Sequence, residues 1–316
     1  MIEKYFKKGA DFLRAKYPII CGAMSWVSYP EFVASVSNEG GFGVYACAHN
    51  SKEILRKDLE KLSSLAKKPY GVNVVTISPN FEEQFETVLE IKPRLIVFAA
   101  KLPKEKDIER AKKNGIQVMT FAPNLESSRR MREAGADALI IEGTESGGHI
   151  GSVSTLVLIQ EILFEAGDFP VFVAGGIGSG KIIPHILLMG ATGVQLGTRF
   201  LLSEEAPIRQ EVKDALLKAR SWDPVASFGI DRRFGVVPVR AIRNKASEEF
   251  MKIQIKLYRQ LEENKIRPEE ALKQIEVFWL GALKTAMQDG DLERGSLMAG
   301  NCVGFINDIK PVKKII

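Results

Sequence analysis

The chain has 316 residues, of which 45% are hydrophobic and 26% charged. That is enough to bury one large core without division, as barrels of about 250 residues do. A net charge of +5 with lysines in scattered pairs (Lys7-Lys8, Lys67-Lys68, Lys313-Lys314) keeps a surface solvated and argues against a nucleic-acid partner. Three cysteines without metal or disulfide spacing, no signal-peptide core and no apolar run of about 18 residues lead us to expect a cytoplasmic protein with no metal site and no membrane span.

Short apolar runs rich in Val, Ile and Phe recur at 18–24, 41–47, 70–76, 95–100, 117–122, 138–143, 171–177 and 193–200. Their near-continuous hydrophobicity implies burial on both faces, as in parallel strands covered by crossover helices. The intervening stretches agree. Residues 51–65 place Ile54, Leu55, Leu59, Leu62 and Leu65 at helical intervals, and 124–135 starts on a capping-type Asn124 and ends on Gly135. Eight such units predict an α/β fold, a (β/α)8 TIM barrel, with an open doubly wound sheet as the alternative.

Beyond the eighth run, 221–244 reads as irregular, with Pro224, Gly229, Gly235 and Pro238, and 247–289 as two helices around the 264–268 turn. An excursion at that point lies over the barrel mouth. The expected organisation is a barrel core over 1–220, a small helical cap or lid over 221–289, and a segment 290–316 returning to the barrel. The plainer reading is that these helices only cover the barrel or form a dimer contact.

Barrel enzymes work at the C-terminal ends of their strands, so those ends hold the candidate site. The seventh gives 174–180, Ala-Gly-Gly-Ile-Gly-Ser-Gly, and the eighth 195–199, Gln-Leu-Gly-Thr-Arg. Paired turns there can hold a phosphate through backbone N–H groups and the Thr198 hydroxyl. Tight turning without a ligand is the plainer account of Gly175 and Gly176. At the first strand end, Gly22 and Ala23 allow a planar ring to press on the backbone. In the third, Asn73 offers a donor and an acceptor to a heterocycle edge, unless it only bonds neighbouring backbone.

After the sixth strand, 142–151 (Glu-Gly-Thr-Glu-Ser-Gly-Gly-His-Ile-Gly) sets His149, which can exchange a proton near neutral pH, among glycines. Gly147 and Gly148 permit close approach to a flat ligand. His49 and His185 read as ordinary structural or surface residues. No nucleophile elbow and no Walker-type loop occurs.

These segments, GAMSW at 22–26, GVNV at 71–74, EGTESGGHIG at 142–151, AGGIGSG at 174–180, QLGTRF at 195–200 and DLERGSLMAG at 291–300, resemble the nitronate monooxygenase and flavin-dependent enoyl-acyl carrier protein reductase family over nearly the whole chain. The resemblance implies an FMN-binding barrel and a homodimer. It implies that Gly22, Ala23, Met24 and Asn73 hold the flavin ring, and that Gly175, Gly176, Gln195, Leu196, Gly197 and Thr198 hold the phosphate side. It implies further that Glu142, Gly147 and Gly148 line the flavin and that His149 is catalytic. The expected activity is NADH- or NADPH-dependent reduction of an enoyl thioester, with acyl carrier protein a candidate partner. Nitronate oxidation with dioxygen and NAD(P)H-quinone reduction are the alternatives within the family, and a non-catalytic phosphate-binding barrel is the alternative outside it. Bulky Tyr45, Phe98 and Lys101, where such reductases carry glycine-rich strand ends, are expected to narrow the pocket.

Overall fold

A computed structural model of the chain describes residues 3–47 and 50–316; His49 lies outside the described residues. Eight parallel strands close into a barrel in chain order: Ile19–Cys21, Phe42–Ala46, Gly71–Val75, Leu95–Ala99, Gln117–Phe121, Ala138–Glu142, Val171–Ala174 and Gly193–Leu196. The eighth pairs back onto the first, Gln195 opposite Ile20, so the barrel is closed and the open sheet is ruled out. We refer to these as barrel strands one to eight. Strand seven stops three residues short of its apolar run because Gly175 and Gly176 take φ of 96° and 71°, outside extended space.

Side chains alternate across each strand, and each set has its own core. Ile20, Val44, Val97, Met119, Ile140 and Phe172 fill the interior. Tyr45, Val72, Phe98, Leu139 and Val173 face the surrounding helices. The N-terminal helix Glu3–Leu13 closes the bottom: Leu13 and Phe12 join the interior cluster, and Arg94 donates to the Phe12 carbonyl at 2.9 Å. The expected capping is present. The Ser51 hydroxyl accepts from the Ile54 N–H ahead of the helix Lys52–Leu65, and Asn124 accepts from Ser127 ahead of Leu125–Glu133. Each such cap contributes about 1 kcal/mol.

After strand eight the structure departs from the irregular reading. Residues 221–244 contain two antiparallel strands, Pro224–Ser227 and Val239–Ile242, and the second pairs with the two-residue strand Gly148–His149. The prolines and glycines of this stretch mask its strand pattern, and the partner comes from a loop about 90 residues earlier in the chain. Two helices follow, Lys245–Glu262 and Pro268–Lys284, around a separate core of Phe250, Leu257, Ile275 and Trp279. The Phe250 and Trp279 rings lie 4.5 Å apart. Among the described residues no helix is long and apolar enough to cross a membrane, and no cluster of His, Cys, Asp or Glu is arranged to hold a metal ion.

Candidate functional site at the barrel mouth

The strand period turns three polar side chains inward near the mouth. Asn73 sits between Ala46 and Val97 in register, and Glu142, Ala174 and Gln195 lie side by side across strands six, seven and eight. Asn73 is buried and donates to the Val97 carbonyl at 3.1 Å, as the backbone-bonding reading of this residue expected. The Gln195 amide makes no hydrogen bond among the described residues. It lies against buried Gly22, where a Cβ would come 3.0 Å from Gln195 Cδ. Ala23 packs on the interior cluster, and Met24 places its sulfur beside Gly197.

The turns after strands seven and eight hold a set of backbone donors. The N–H groups of Gly176, Ile177 and Gly178, and those of Gly197 and Thr198 on the adjacent strand, have no acceptor among the described residues. Buried or half-buried amides are nearly always paired, so such a group marks a place for an anion or ordered water. A Cβ on Gly197 would meet only Met24 Sδ, at 4.0 Å, which leaves open space beside it. The Thr198 hydroxyl accepts from the Gly300 N–H at 3.0 Å, tying the C-terminal segment to the same turn.

Glu142 is the perturbed acid of the site. Burial raises its carboxyl from 4.5 to about 7, against smaller opposing effects of the Ser146 hydroxyl and the nearby His149. Ser146 Oγ is itself buried without a well-aligned partner. His149 stands at the rim with its side chain 48% exposed, and its Nε2 lies 3.5 Å from Glu276 Oε2 of the helix Pro268–Lys284. The loop carrying His149 is held from two directions. Val239 and Arg240 pair with His149 and Gly148, and the Arg240 guanidinium reaches the Thr144 and Pro224 carbonyls.

The C-terminal segment supplies the second hold. Asn301 N–H donates to the Glu145 carbonyl at 2.9 Å, and a Cβ on Gly147 would lie 2.5 Å from the Ala299 carbonyl carbon. Gly147 is therefore small to admit that segment, whereas Gly148 takes a φ of 76°. The Glu145 carboxylate folds back onto the Thr155 N–H and hydroxyl.

The sequence expectation for Tyr45 and Phe98 is corrected. Tyr45 and Phe98 cannot narrow the pocket, because the strand alternation turns both toward the helices, where the Tyr45 hydroxyl donates to Asp58 at 2.7 Å and Phe98 packs on Phe85. Lys101 is exposed, with its backbone N–H and carbonyl both bonded to the Thr76 hydroxyl. Leu196 points its side chain into the outer core, so only its backbone faces the site. His185 is exposed on the helix Ile183–Leu188, as its surface reading required. Sequence reasoning missed Glu276, one acid among many on an amphipathic helix, and did not assign Glu145 and Ser146 although both lie within the quoted motif.

Taken together, small residues at Gly22 and Ala23, inward amides at Asn73 and Gln195, and unpaired backbone donors on strands seven and eight fit a planar ligand with a phosphate tail, which FMN is. The chain matches the family model described as nitronate monooxygenase over residues 7–316. It is 32% identical to (3aS,4S,5R,7aS)-5-hydroxy-7a-methyl-1-oxo-octahydro-1H-indene-4-carboxyl-CoA dehydrogenase of Rhodococcus jostii, over 70% of this chain and 62% of that protein. A probable nitronate monooxygenase of Staphylococcus aureus is 28% identical over 76% of this chain and 79% of its own length. Among solved structures, FabK from Thermotoga maritima superposes with a TM-score of 0.83 at 34% identity, covering 97% of this chain and 92% of that one.

Proposed function

The chain belongs to the nitronate monooxygenase family of flavin-dependent oxidoreductases, and on that premise we propose that it is an FMN-dependent, NAD(P)H-dependent reductase of enoyl thioesters. The observation that carries the substrate class is the likeness to FabK over 97% of the chain, together with a relative whose name includes a carboxyl-CoA thioester. Gly22, Ala23, Met24 and Asn73 would hold the ring, with Glu142, Gly147 and Gly148 along its side. Gly175, Gly176, Gln195, the Leu196 backbone, Gly197 and Thr198 would hold the ribityl phosphate, to which the free amides after strands seven and eight would donate. Bound FMN would supply hydride transfer between the nicotinamide and the substrate double bond.

The chain's own residues do the rest. Glu142, whose carboxyl burial raises to about 7, carries its proton about half the time at pH 7 and in that form can donate a hydrogen bond that an ordinary carboxylate could not. His149, at the rim, gives a proton to the carbon or oxygen that gains charge beside the thioester and recovers it from solvent. The cap over 221–289 and the segment 290–316 seat that histidine, and acyl carrier protein and a second copy of the chain are the partners this reading implies. Nitronate oxidation is the second reading, favoured by the Staphylococcus aureus relative.

The test compares flavin reduction by NADH and NADPH, followed by reoxidation with a crotonyl thioester, a quinone, or dioxygen with a nitronate. Reoxidation by the thioester is expected. Turnover with quinone alone would refute both readings, and a colourless protein that does not take up FMN would refute the cofactor site.

A further inference from the structure

His149 has no partner within its own loop that sets the direction of its ring. Its side chain is 48% exposed, and Nδ1 makes no hydrogen bond among the described residues. Two carboxyls and one guanidinium approach it. Glu142 faces it from strand six and Glu276 from the cap, whereas Arg240, next to its pairing partner Val239, turns its charge onto the Thr144 and Pro224 carbonyls. Glu276 is the carboxyl at contact distance, 3.5 Å from Nε2.

Glu276 is also held more firmly than a surface acid. It is 28% exposed and lies between Ile275 and Trp279, both buried in the cap core. One residue past Trp279, the Leu280 carbonyl accepts from Trp26 Nε1 at 3.1 Å, and Lys284 stacks over the Trp26 ring. The helix therefore spans from the loop after strand one, beside Gly22 and Met24, to the loop after strand six. Its position is fixed relative to both walls of the mouth.

We infer that Glu276 is the positioning residue of His149: its carboxylate accepts a hydrogen bond from Nε2–H once the 3.5 Å gap closes, and this fixes the tautomer in which Nδ1 exchanges a proton with substrate. In the donating step the Nδ1–H bond breaks and the proton passes to the substrate atom that carries the new electron pair. The ring is left neutral with Nε2–H still on Glu276, and solvent returns the proton to Nδ1. A carboxylate on the far nitrogen both orients the ring and stabilises its charged form, the role carboxylates take behind other catalytic histidines. Bringing that carboxylate from the cap makes a correctly seated cap a condition of turnover.

This rests on His149 being the proton-handling group, and the experiment separates the two claims. Glu276→Ala, Glu276→Gln, His149→Ala and the double variant Glu276→Ala/His149→Ala are compared in FMN content, in turnover with the acceptor that reoxidises the flavin, and in 15N NMR of the imidazole rings, with His149 identified by its loss in His149→Ala. Glu276→Ala should keep FMN, lower kcat on the order of tenfold to a hundredfold with KM little changed, and turn a neutral His149 ring with its proton on Nε2 into a tautomer mixture. Glu276→Gln, whose side-chain oxygen can still accept from Nε2, should retain the tautomer and part of the rate. In the His149→Ala background, Glu276→Ala should cost nothing more. Unchanged kcat and tautomer in Glu276→Ala, or losses that multiply in the double variant, would overturn the inference while leaving His149 in place. Wild-type turnover in His149→Ala would overturn the reading of His149 on which it stands.

Discussion

Glu142 makes the stability of the flavin-free protein depend on pH in an unusual direction. Its carboxyl sits near 4.5 in the unfolded chain and about 7 in the fold, chiefly because burial disfavours the charged form. Between those values the native state holds a proton that the unfolded state has released, so stability falls as pH rises. The contribution is fully present below pH 4.5 and is lost by the time pH passes about 7, and at about 1.4 kcal/mol per pH unit the loss comes to about 3 to 4 kcal/mol. That figure is an upper one, since part of the residue reaches the open mouth. Glu142→Gln keeps the shape and removes the titration. Denaturant unfolding of flavin-free wild type and Glu142→Gln at pH 5 and pH 8 should show a drop of about 2 to 3 kcal/mol in the wild type beyond any drop in the variant. Acids held low by ion pairs do not mimic this. Asp308, beside Lys310 and Arg199, loses its contribution only as pH falls below the ordinary carboxylate range. Equal pH dependence in the two proteins would refute the claim that Glu142 is buried and raised.

Three further outcomes are expected. Gly176→Val should weaken FMN retention at least about tenfold, read from flavin released on dilution, because φ is 71° and a Cβ would press on Glu145 Cβ at 3.1 Å beside the free amides. Trp279→Ala should destabilise the two-helix unit by about 3 to 5 kcal/mol through the cavity left beside Phe250, with hydrogen exchange rising in the helices Lys245–Glu262 and Pro268–Lys284 ahead of the barrel strands. Gly147→Ala should displace the 297–302 segment, since its Cβ would meet the Ala299 and Gly300 backbone at 2.5 and 2.6 Å; protection from exchange in that segment at the wild-type level would contradict the packing.

The barrel, and which strand ends carry its candidate site, can be read from one dimension because the signals are local. Apolar runs of strand length alternating with capped amphipathic helices specify βα units, and Gly175 and Gly176 mark where a strand must end. Strand period alone separates inward Asn73, Glu142 and Gln195 from outward Tyr45, Phe98 and Leu196. The corrections arose where composition at a strand end was read without that alternation. Gly147 shows a different limit: its smallness was visible, but the reason for it, the Ala299-Gly300 backbone, lies some 150 residues away in the chain.

Local patterning along the chain specifies an eight-unit barrel, a glycine-rich pair of turns suited to phosphate and a histidine on the loop after strand six. What holds that histidine comes from packing between distant segments: the strand Val239–Ile242 beside it, the C-terminal segment against Gly147, and Glu276 near its Nε2. The physical reason is that periodicity and turn chemistry act over a few residues and leave a trace in sequence. A contact between a rim loop and a helix more than a hundred residues later depends on how two separate cores settle against each other, and a single acid on an amphipathic helix carries no mark of which charge it will meet.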